Sequence, residues 1–165
     1  RDRLIAAAEG SGARLILPAG AIAGIDGLSA LRFGGLDHVR YTATKPPLAW
    51  IDTPAEEEFD LGAITTATVI FEGTAAQAAR LFPKNANLAA TVALAGLGME
   101  RTKIRLVADP AIAPDNSARI EARGALGTLD VTCRGRPAVD NPKTSAVTAY
   151  SIAHQILNQD ATMVL

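Results

Sequence analysis

The polar stretch Phe82-Pro-Lys-Asn-Ala-Asn87 runs directly into the apolar segment Leu88-Ala-Ala-Thr-Val-Ala-Leu-Ala-Gly-Leu97. This change of character predicts the start of a helix that is buried on most sides. Asn85 and Asn87 are suitable N-cap residues, because their side-chain oxygens accept hydrogen bonds from the unpaired N–H groups of a first helical turn. The same amides, together with Lys84, would also suit an anionic or amide-bearing ligand. Both interpretations, capping and ligand binding, remain open on this spacing alone.

The length and composition indicate one ordinary domain, or one domain and a fraction of another, with an aliphatic core. The chain has 165 residues, an aromatic content of 4% and a formal net charge of −1. So small a net charge gives no broad electrostatic surface, and we expect neither nucleic acid nor a membrane as a partner. The single cysteine, Cys133, fits a reducing compartment, and we expect a cytoplasmic protein. With one cysteine and two distant histidines, His38 and His154, a metal site is not expected.

Periodic patterns along the chain predict an α+β fold, in which a mixed or antiparallel sheet packs against helices. Strands are expected at residues 36–44, 67–72, 103–108, 118–123 and 128–134, the last two forming a hairpin. Helices are expected at residues 21–31, 75–82, 88–98 and 146–157, and Thr74 is the expected N-cap of the second. The acidic run Glu56-Glu-Glu58 lies in an expected solvated loop, residues 50–60.

The beginning of the chain is typical of the end of an α/β unit. Residues 1–9 have a helical pattern that Gly10 and Gly12 stop, and Arg14-Leu-Ile-Leu17 is a candidate for a short buried strand. The chain also opens without a methionine. We therefore expect a further portion of the protein upstream.

Five segments together are similar to one known enzyme family: Gly20-Ala-Ile-Ala-Gly-Ile-Asp-Gly-Leu28, Phe82-Pro-Lys-Asn-Ala-Asn87, Val107-Ala-Asp-Pro110, Ile120-Glu-Ala-Arg-Gly124 and Asp140-Asn-Pro-Lys-Thr-Ser145. In this order and spacing they resemble L-aspartate dehydrogenase over essentially the whole chain. That family joins an N-terminal Rossmann domain to a C-terminal α+β domain and usually forms dimers. The resemblance implies that residues 1–20 are the tail of a dinucleotide-binding domain, most of it missing. Residues 21–165 would then be the C-terminal catalytic and dimerisation domain.

The resemblance implies oxidation of L-aspartate to iminoaspartate with NAD or NADP as the cofactor. The imine then hydrolyses to oxaloacetate and ammonia or supplies NAD biosynthesis. Ala21 matches a position whose backbone amide contacts the cofactor, although from the residues alone it equally fits a tight strand-to-helix turn. Asn87 matches the asparagine that holds the nicotinamide carboxamide. The glycine-rich fingerprint for a pyrophosphate is absent from this sequence, so only the nicotinamide end of the cofactor is expected here.

The most notable departure from the family concerns its catalytic histidine, which lies in an Asn-x-His-x-Ile-Glu motif. The corresponding segment here is Asn116-Ser-Ala-Arg-Ile-Glu121, so Ala118 stands where histidine is expected. Histidine titrates near neutral pH and is a natural general base, whereas alanine transfers no proton. Either the residue was replaced deliberately or this is a natural variant with altered or lost activity. In a third alternative, Ser117 or Asn116 fills the role.

Aspartate carries two carboxylates, so its site needs cations or helix N-termini. Lys84 is one candidate, and the predicted helix start at Lys143, Thr144 and Ser145 is the other. A lysine beside hydroxyls and unpaired backbone N–H groups suits a carboxylate. Alternatively, Thr144 or Ser145 merely caps the last helix.

A second interpretation of the whole chain is a non-catalytic homologue that keeps the fold as a ligand-binding or dimerisation module. The enzyme is favoured, because Asn87 and the segment Lys143-Thr-Ser145 are retained around the single changed position, Ala118. A more distant alternative is a related two-domain reductase that acts on another small dicarboxylate, since fold alone does not fix the substrate.

Overall fold

A five-stranded sheet organises the computed structural model, which describes residues 2–139, 141–159 and 161–163. The strands are β1 (Leu36–Lys45), β2 (Thr68–Thr74), β3 (Lys103–Ala108), β4 (Asn116–Gly124) and β5 (Gly127–Gly135). Their order in the sheet is β2-β3-β1-β4-β5, so the first strand in sequence occupies the centre. Strand β1 pairs in parallel with β3, and the other neighbouring strands pair antiparallel. The sheet is therefore mixed.

Helices and a small second sheet surround these strands. The helices are α1 (Asp2–Ser11), α2 (Ile25–Phe33), α3 (Ala55–Glu58), α4 (Ala75–Leu81), α5 (Asn87–Ala95) and α6 (Val147–Leu157). The small sheet pairs β6 (Pro137–Ala138) with β7 (Asn141–Ser145). None of the helices in the described ranges combines the length and the apolar character needed to cross a membrane. A mixed sheet packed against helices confirms the predicted α+β class.

The core lies between α5 and one face of the sheet. In β1 the side chains of Val39, Tyr41 and Ala43 are buried, and those between them are partly exposed. This alternation is expected for a strand with one face against helices. Helix α5 contributes the small or branched buried side chains Ala89, Val92 and Ala93. Because these residues are small, the helix lies close to the central strand.

Several local predictions are confirmed. Strand β3 has the predicted bounds, and β4 and β5 form the predicted antiparallel hairpin. Thr74 is the N-cap of α4: the Gln77 N–H donates to Thr74 Oγ1 at 3.2 Å, and the Thr74 N–H donates to Gln77 Oε1 at 2.8 Å. This reciprocal pair is a capping box, which satisfies two otherwise unpaired backbone donors.

Near the beginning of the chain, one predicted strand is wrong and one predicted helix starts later than expected. Residues 14–17 form no strand, and Leu15 and Leu17 are 49% and 59% exposed. A strand needs a neighbour for its backbone groups, and the described part of the chain pairs none with this segment. Helix α2 begins at Ile25, because Gly24 has a φ of 79°, a left-handed conformation that a helix cannot include.

Two further differences concern polar segments. Helix α6 begins at Val147, within one residue of the predicted start, but residues 141–145 before it form strand β7 opposite β6 and not the first turn of the helix. Threonine favours strands as well as caps, and the pairing with β6 decides between them. The run Glu56-Glu-Glu58 is exposed as predicted, but it forms the short helix α3 rather than a loop.

Candidate functional site

The carboxyl end of β1 borders a cavity of about 280 Å³. Tyr41, Ala43 and Lys45 line it from β1, because alternate residues of a strand point to the same face. Ala43 pairs with Ala118 of β4, and Ala118 pairs in turn with Cys133 of β5. We refer to Tyr41, Ala43, Ala118 and Cys133 as the cavity floor. Two of its four side chains are only methyl groups, so the floor leaves space for a ligand.

The walls of the cavity come from α5, α6 and the segment before α2. The Gly20 N–H donates to Ser151 Oγ at 3.0 Å, which ties that segment to α6. On its other side, a Cβ added to Gly20 would lie 3.0 Å from Leu88 Cδ2 of α5. Gly20 also has a φ of 73°, which favours glycine. A glycine therefore permits the segment to run close to both helices.

The cavity brings together most of the residues that the sequence singled out. Its lining includes Ala21, Lys84, Asn87, Ala118, Thr144 and Ser145. Asn116 and Ser117, the alternatives for the catalytic role, line it as well. The side chain of Lys143 lies outside the described residues. His38 and His154 are not among the lining residues that the structure describes.

Asn85 and Asn87 do not cap α5, contrary to the first interpretation of this stretch. The N-cap is Ala86, and no side chain accepts a hydrogen bond there. Asn85 Oδ1 accepts instead from Lys45 Nζ at 2.9 Å. The Asn87 side chain is exposed at the cavity, and no hydrogen bond to it is found among the described residues. The amide of Asn87 is therefore placed to contact a ligand.

The capping interpretation of Thr144 and Ser145 is also wrong. The N-cap of α6 is Ala146, again without a side-chain hydrogen bond. Ser145 Oγ is buried and has no hydrogen-bond partner within the described ranges. A buried hydroxyl without a partner is costly, and a ligand oxygen in the cavity would supply one.

Sequence reasoning missed Tyr41, Lys45 and Cys133 as lining residues. Tyr41 is 2% exposed, and its hydroxyl makes no hydrogen bond to a described residue. Burial, and to a smaller degree the neighbouring Cys133, raises the pKa of the Tyr41 phenol, which therefore stays protonated as a donor. The sequence pattern that could have identified Tyr41 is the alternation in β1, which places Tyr41 and Ala43 on the same face of the strand.

The polar character of the cavity suits an anionic ligand. Lys45 and Lys84 line it, and no acidic side chain belongs to the lining that the structure describes. Hydroxyl and amide groups of Tyr41, Asn87 and Ser145 add neutral hydrogen-bonding groups. Across residues 2–139, 141–159 and 161–163, no cluster of three metal-ligating side chains occurs.

Comparisons with known proteins agree on one family. Residues 26–159 match the family model "Aspartate dehydrogenase, C-terminal". The chain is 56% identical to L-aspartate dehydrogenase of Cupriavidus necator over 96% of this chain and 59% of that protein. It is 53% identical to that of Pseudomonas aeruginosa over 95% of this chain and 58% of the relative. It thus spans somewhat less than two thirds of the length of these relatives.

A solved structure gives the same result. The crystal structure of aspartate dehydrogenase from Thermotoga maritima superimposes with a TM-score of 0.77 and 30% sequence identity. The match covers 100% of this chain and 61% of that chain. The fold described above is therefore shared with a structure from this family.

Proposed function

Because the chain belongs to the aspartate dehydrogenase C-terminal family, we propose that it forms the catalytic part of an NAD(P)-dependent L-aspartate dehydrogenase. The reaction converts L-aspartate to iminoaspartate, which hydrolyses to oxaloacetate and ammonia or supplies NAD biosynthesis. The observation that carries the proposal is the cavity in which Ala21, Asn87 and Ala118 meet beside lysines. A cationic cavity of this kind suits a dicarboxylate.

We propose the domain organisation on the same basis. Residues 1–20 would end an N-terminal Rossmann domain, and residues 21–165 would form the C-terminal catalytic and dimerisation domain. The start of the family match at residue 26 supports this division. We propose a homodimer from the resemblance to the family, and a cytoplasmic location because a single cysteine, Cys133, fits a reducing compartment.

The residues of the cavity fit the nicotinamide end of NAD or NADP. The Asn87 amide would pair with the carboxamide, because it offers both a donor and an acceptor. Ala21 follows Gly20, whose lack of a side chain allows the backbone of this segment to lie close to Leu88 of α5. A volume of about 280 Å³ accommodates a ring and a small acid but not a whole dinucleotide. When bound, the nicotinamide would supply the hydride acceptor for the oxidation.

The residues of this chain would bind the substrate, orient it and handle its protons. Lys84 and Lys143 are proposed to bind carboxylates, and the Thr144 and Ser145 hydroxyls would support them. Holding C2 of aspartate against the nicotinamide supplies much of the catalysis through proximity. At the general-base position stands Ala118, which transfers no proton, so turnover is reduced by about 10²–10⁴-fold relative to a histidine enzyme.

The proposed function is tested by aspartate-dependent reduction of NAD or NADP, measured for the full-length protein and an Ala118→His variant. A rise in turnover of about 100-fold or more with histidine supports the enzyme and the role of position 118. Two folded but inactive forms would instead favour the non-catalytic module. The alanine at position 118 is the observation that supports this second function.

A further inference from the structure

We propose that Lys45 binds one carboxylate of the small dicarboxylate held in this cavity. The assignment rests on the proposed function and deepens it by naming the residue that recognises a second carboxylate. Lys45 is the last residue of β1 and lines the cavity next to the floor residues Tyr41 and Ala43. It therefore stands on a rigid central strand rather than on a loop.

Contacts with Asn85 and Trp50 help to position the ammonium group of Lys45. Its Nζ donates to Asn85 Oδ1 at 2.9 Å and lies 5.2 Å from the centroid of the Trp50 ring. Trp50 is fully buried, and its Nε1 donates to the Val107 carbonyl at 3.2 Å, so the ring is itself held in place. A cation that is already positioned loses little side-chain freedom when a ligand binds.

The surroundings of Lys45 favour a carboxylate over other ligands. The lysine is partly buried, whereas Lys84 is exposed. Charges interact more strongly when they are partly removed from water, and an exposed ammonium is screened by salt. An ammonium group carries three donors, so it can hold Asn85 and a ligand oxygen at once.

The position of Lys45 along β1 suggests which molecule fits. Lys45 follows Ala43 by two residues, and Ala43 pairs with Ala118, which occupies the position of the family's catalytic histidine in the proposed function. Two residues of a strand span roughly 6–7 Å. That separation is comparable with the length of a four-carbon diacid, so one carboxylate would reach Lys45 while the reacting carbon stays near Ala118.

Succinate, which has four carbons and no amine, tests this assignment without any reaction. Its dissociation constant is measured by calorimetry, with and without NAD, for the unaltered protein and for Lys45→Met. The variant is expected to bind succinate about tenfold to a hundredfold more weakly, the range typical of a lost charge-assisted hydrogen bond. Lys45→Arg should recover part of the affinity. Lys103→Met is the matched control, because Lys103 is exposed on β3 and does not line the cavity.

A second readout comes from Trp50, the one tryptophan of this sequence. A carboxylate that pairs with Lys45 changes the field at the indole ring, so succinate should alter the tryptophan emission of the unaltered protein. A Trp50→Phe variant identifies the origin of the signal. Asn85→Ala tests the positioning role of Asn85: it should weaken succinate binding by less than Lys45→Met does.

The outcomes separate this assignment from the proposed function. Unchanged succinate affinity in folded Lys45→Met overturns the assignment, and so does a lack of succinate binding by the unaltered protein with NAD present. An unchanged KM for aspartate in Lys45→Met would also refute it while leaving the dehydrogenase intact. Suppose that Lys45→Met no longer binds succinate and that neither the unaltered protein nor Ala118→His oxidises aspartate. The assignment then stands and the proposed function fails.

Discussion

Ala118 lies directly opposite Cys133 in the antiparallel pairing of β4 and β5, and both side chains line the same cavity. Directly paired residues have Cβ atoms about 4.5–5.5 Å apart. A larger side chain at position 118 would therefore extend over the cavity floor and approach the Cys133 thiol. Ala118 is buried but lines the cavity, so the cavity is the space into which this longer side chain would extend.

The first prediction concerns the pH dependence that histidine would introduce at this position. In Ala118→His, kcat should rise with pH through an imidazole pKa of about 6.5, because a general base acts in its neutral form. Steady-state rates between pH 5 and 9 test this. Ala118→Gln is the matched control, since its side chain has a similar size without a basic group. A pH profile shared by both variants would contradict a general base at position 118.

The second prediction concerns Asn87, whose amide is proposed to hold the nicotinamide carboxamide. Asn87→Ala should weaken the binding of NAD about tenfold, which corresponds to one or two lost hydrogen bonds. The stability of the fold should change little, because the Asn87 side chain is exposed and caps nothing. Calorimetric titration of the full-length protein with NAD measures the affinity. Asn158→Ala, at the residue that follows α6, is the control, and equal affinities in both variants would remove Asn87 from the cofactor site.

The third prediction concerns Tyr41 and stability at alkaline pH. Burial raises the pKa of this phenol, so above pH ~10 the unfolded chain loses a proton that the folded protein retains. The free energy of unfolding should therefore fall as the pH rises past about 10, and Tyr41→Phe should flatten that fall. Urea denaturation at pH 8 to 11 measures it. Tyr150→Phe is the control, because Tyr150 is 76% exposed; a similar flattening there would contradict the prediction.

The fourth prediction concerns the ion pair between Arg119 and Asp130. Arg119 donates from Nε and Nη2 to the two carboxylate oxygens at 2.9 Å and 2.6 Å, which lowers the pKa of Asp130. A lowered pKa contributes stability above the unfolded value of about 4, and this contribution is lost as the pH falls through the folded pKa. Asp130→Asn should therefore flatten the acid side of the Tm-against-pH curve. Because the pair is exposed, the effect is small and weakens with salt.

A double-mutant cycle with Arg119→Gln completes this test. If the two residues act as a pair, Arg119→Gln should flatten the acid side as Asp130→Asn does, and the double variant should add little. Arg119 also contacts Glu121 at 3.3 Å. Replacing Arg119 therefore removes two ion pairs, whereas replacing Asp130 removes one. Additive changes in Tm would show that the pair contributes nothing to the pH dependence.

The elements of this fold were largely predictable, because each strand of the main sheet carries its own signal. Alternation in β1 and β3 follows from one buried face, and the Thr74 capping box follows from local sequence. The order β2-β3-β1-β4-β5 carries no such local signal. It arises from pairing between distant segments, as in the parallel contact of β1 with β3.

The candidate site was predictable only in part, because contacts between distant segments leave no local pattern in the sequence. Ala21, Asn87 and Ala118 were identified through resemblance to a family, and their assembly in one cavity required the sheet order. The contact of Lys45 with Asn85 joins residues 40 positions apart, so no local pattern reveals it. Thr144 and Ser145 were assigned to a helix start because their local preferences suit a cap as well as a strand, and only the pairing with β6 distinguishes the two.

The central place of β1 in the sheet has a consequence for the protein during its synthesis. This strand leaves the ribosome long before β3 and β4, its two neighbours in the sheet. Because synthesis adds about 5–20 residues per second, the apolar face of β1 remains without its neighbouring strands for a time on the order of seconds. Val39 and Tyr41 are therefore exposed to chaperones and to other nascent chains during that interval. Substitutions that slow the later pairing should reduce the yield of protein in cells before they alter its affinity for any ligand.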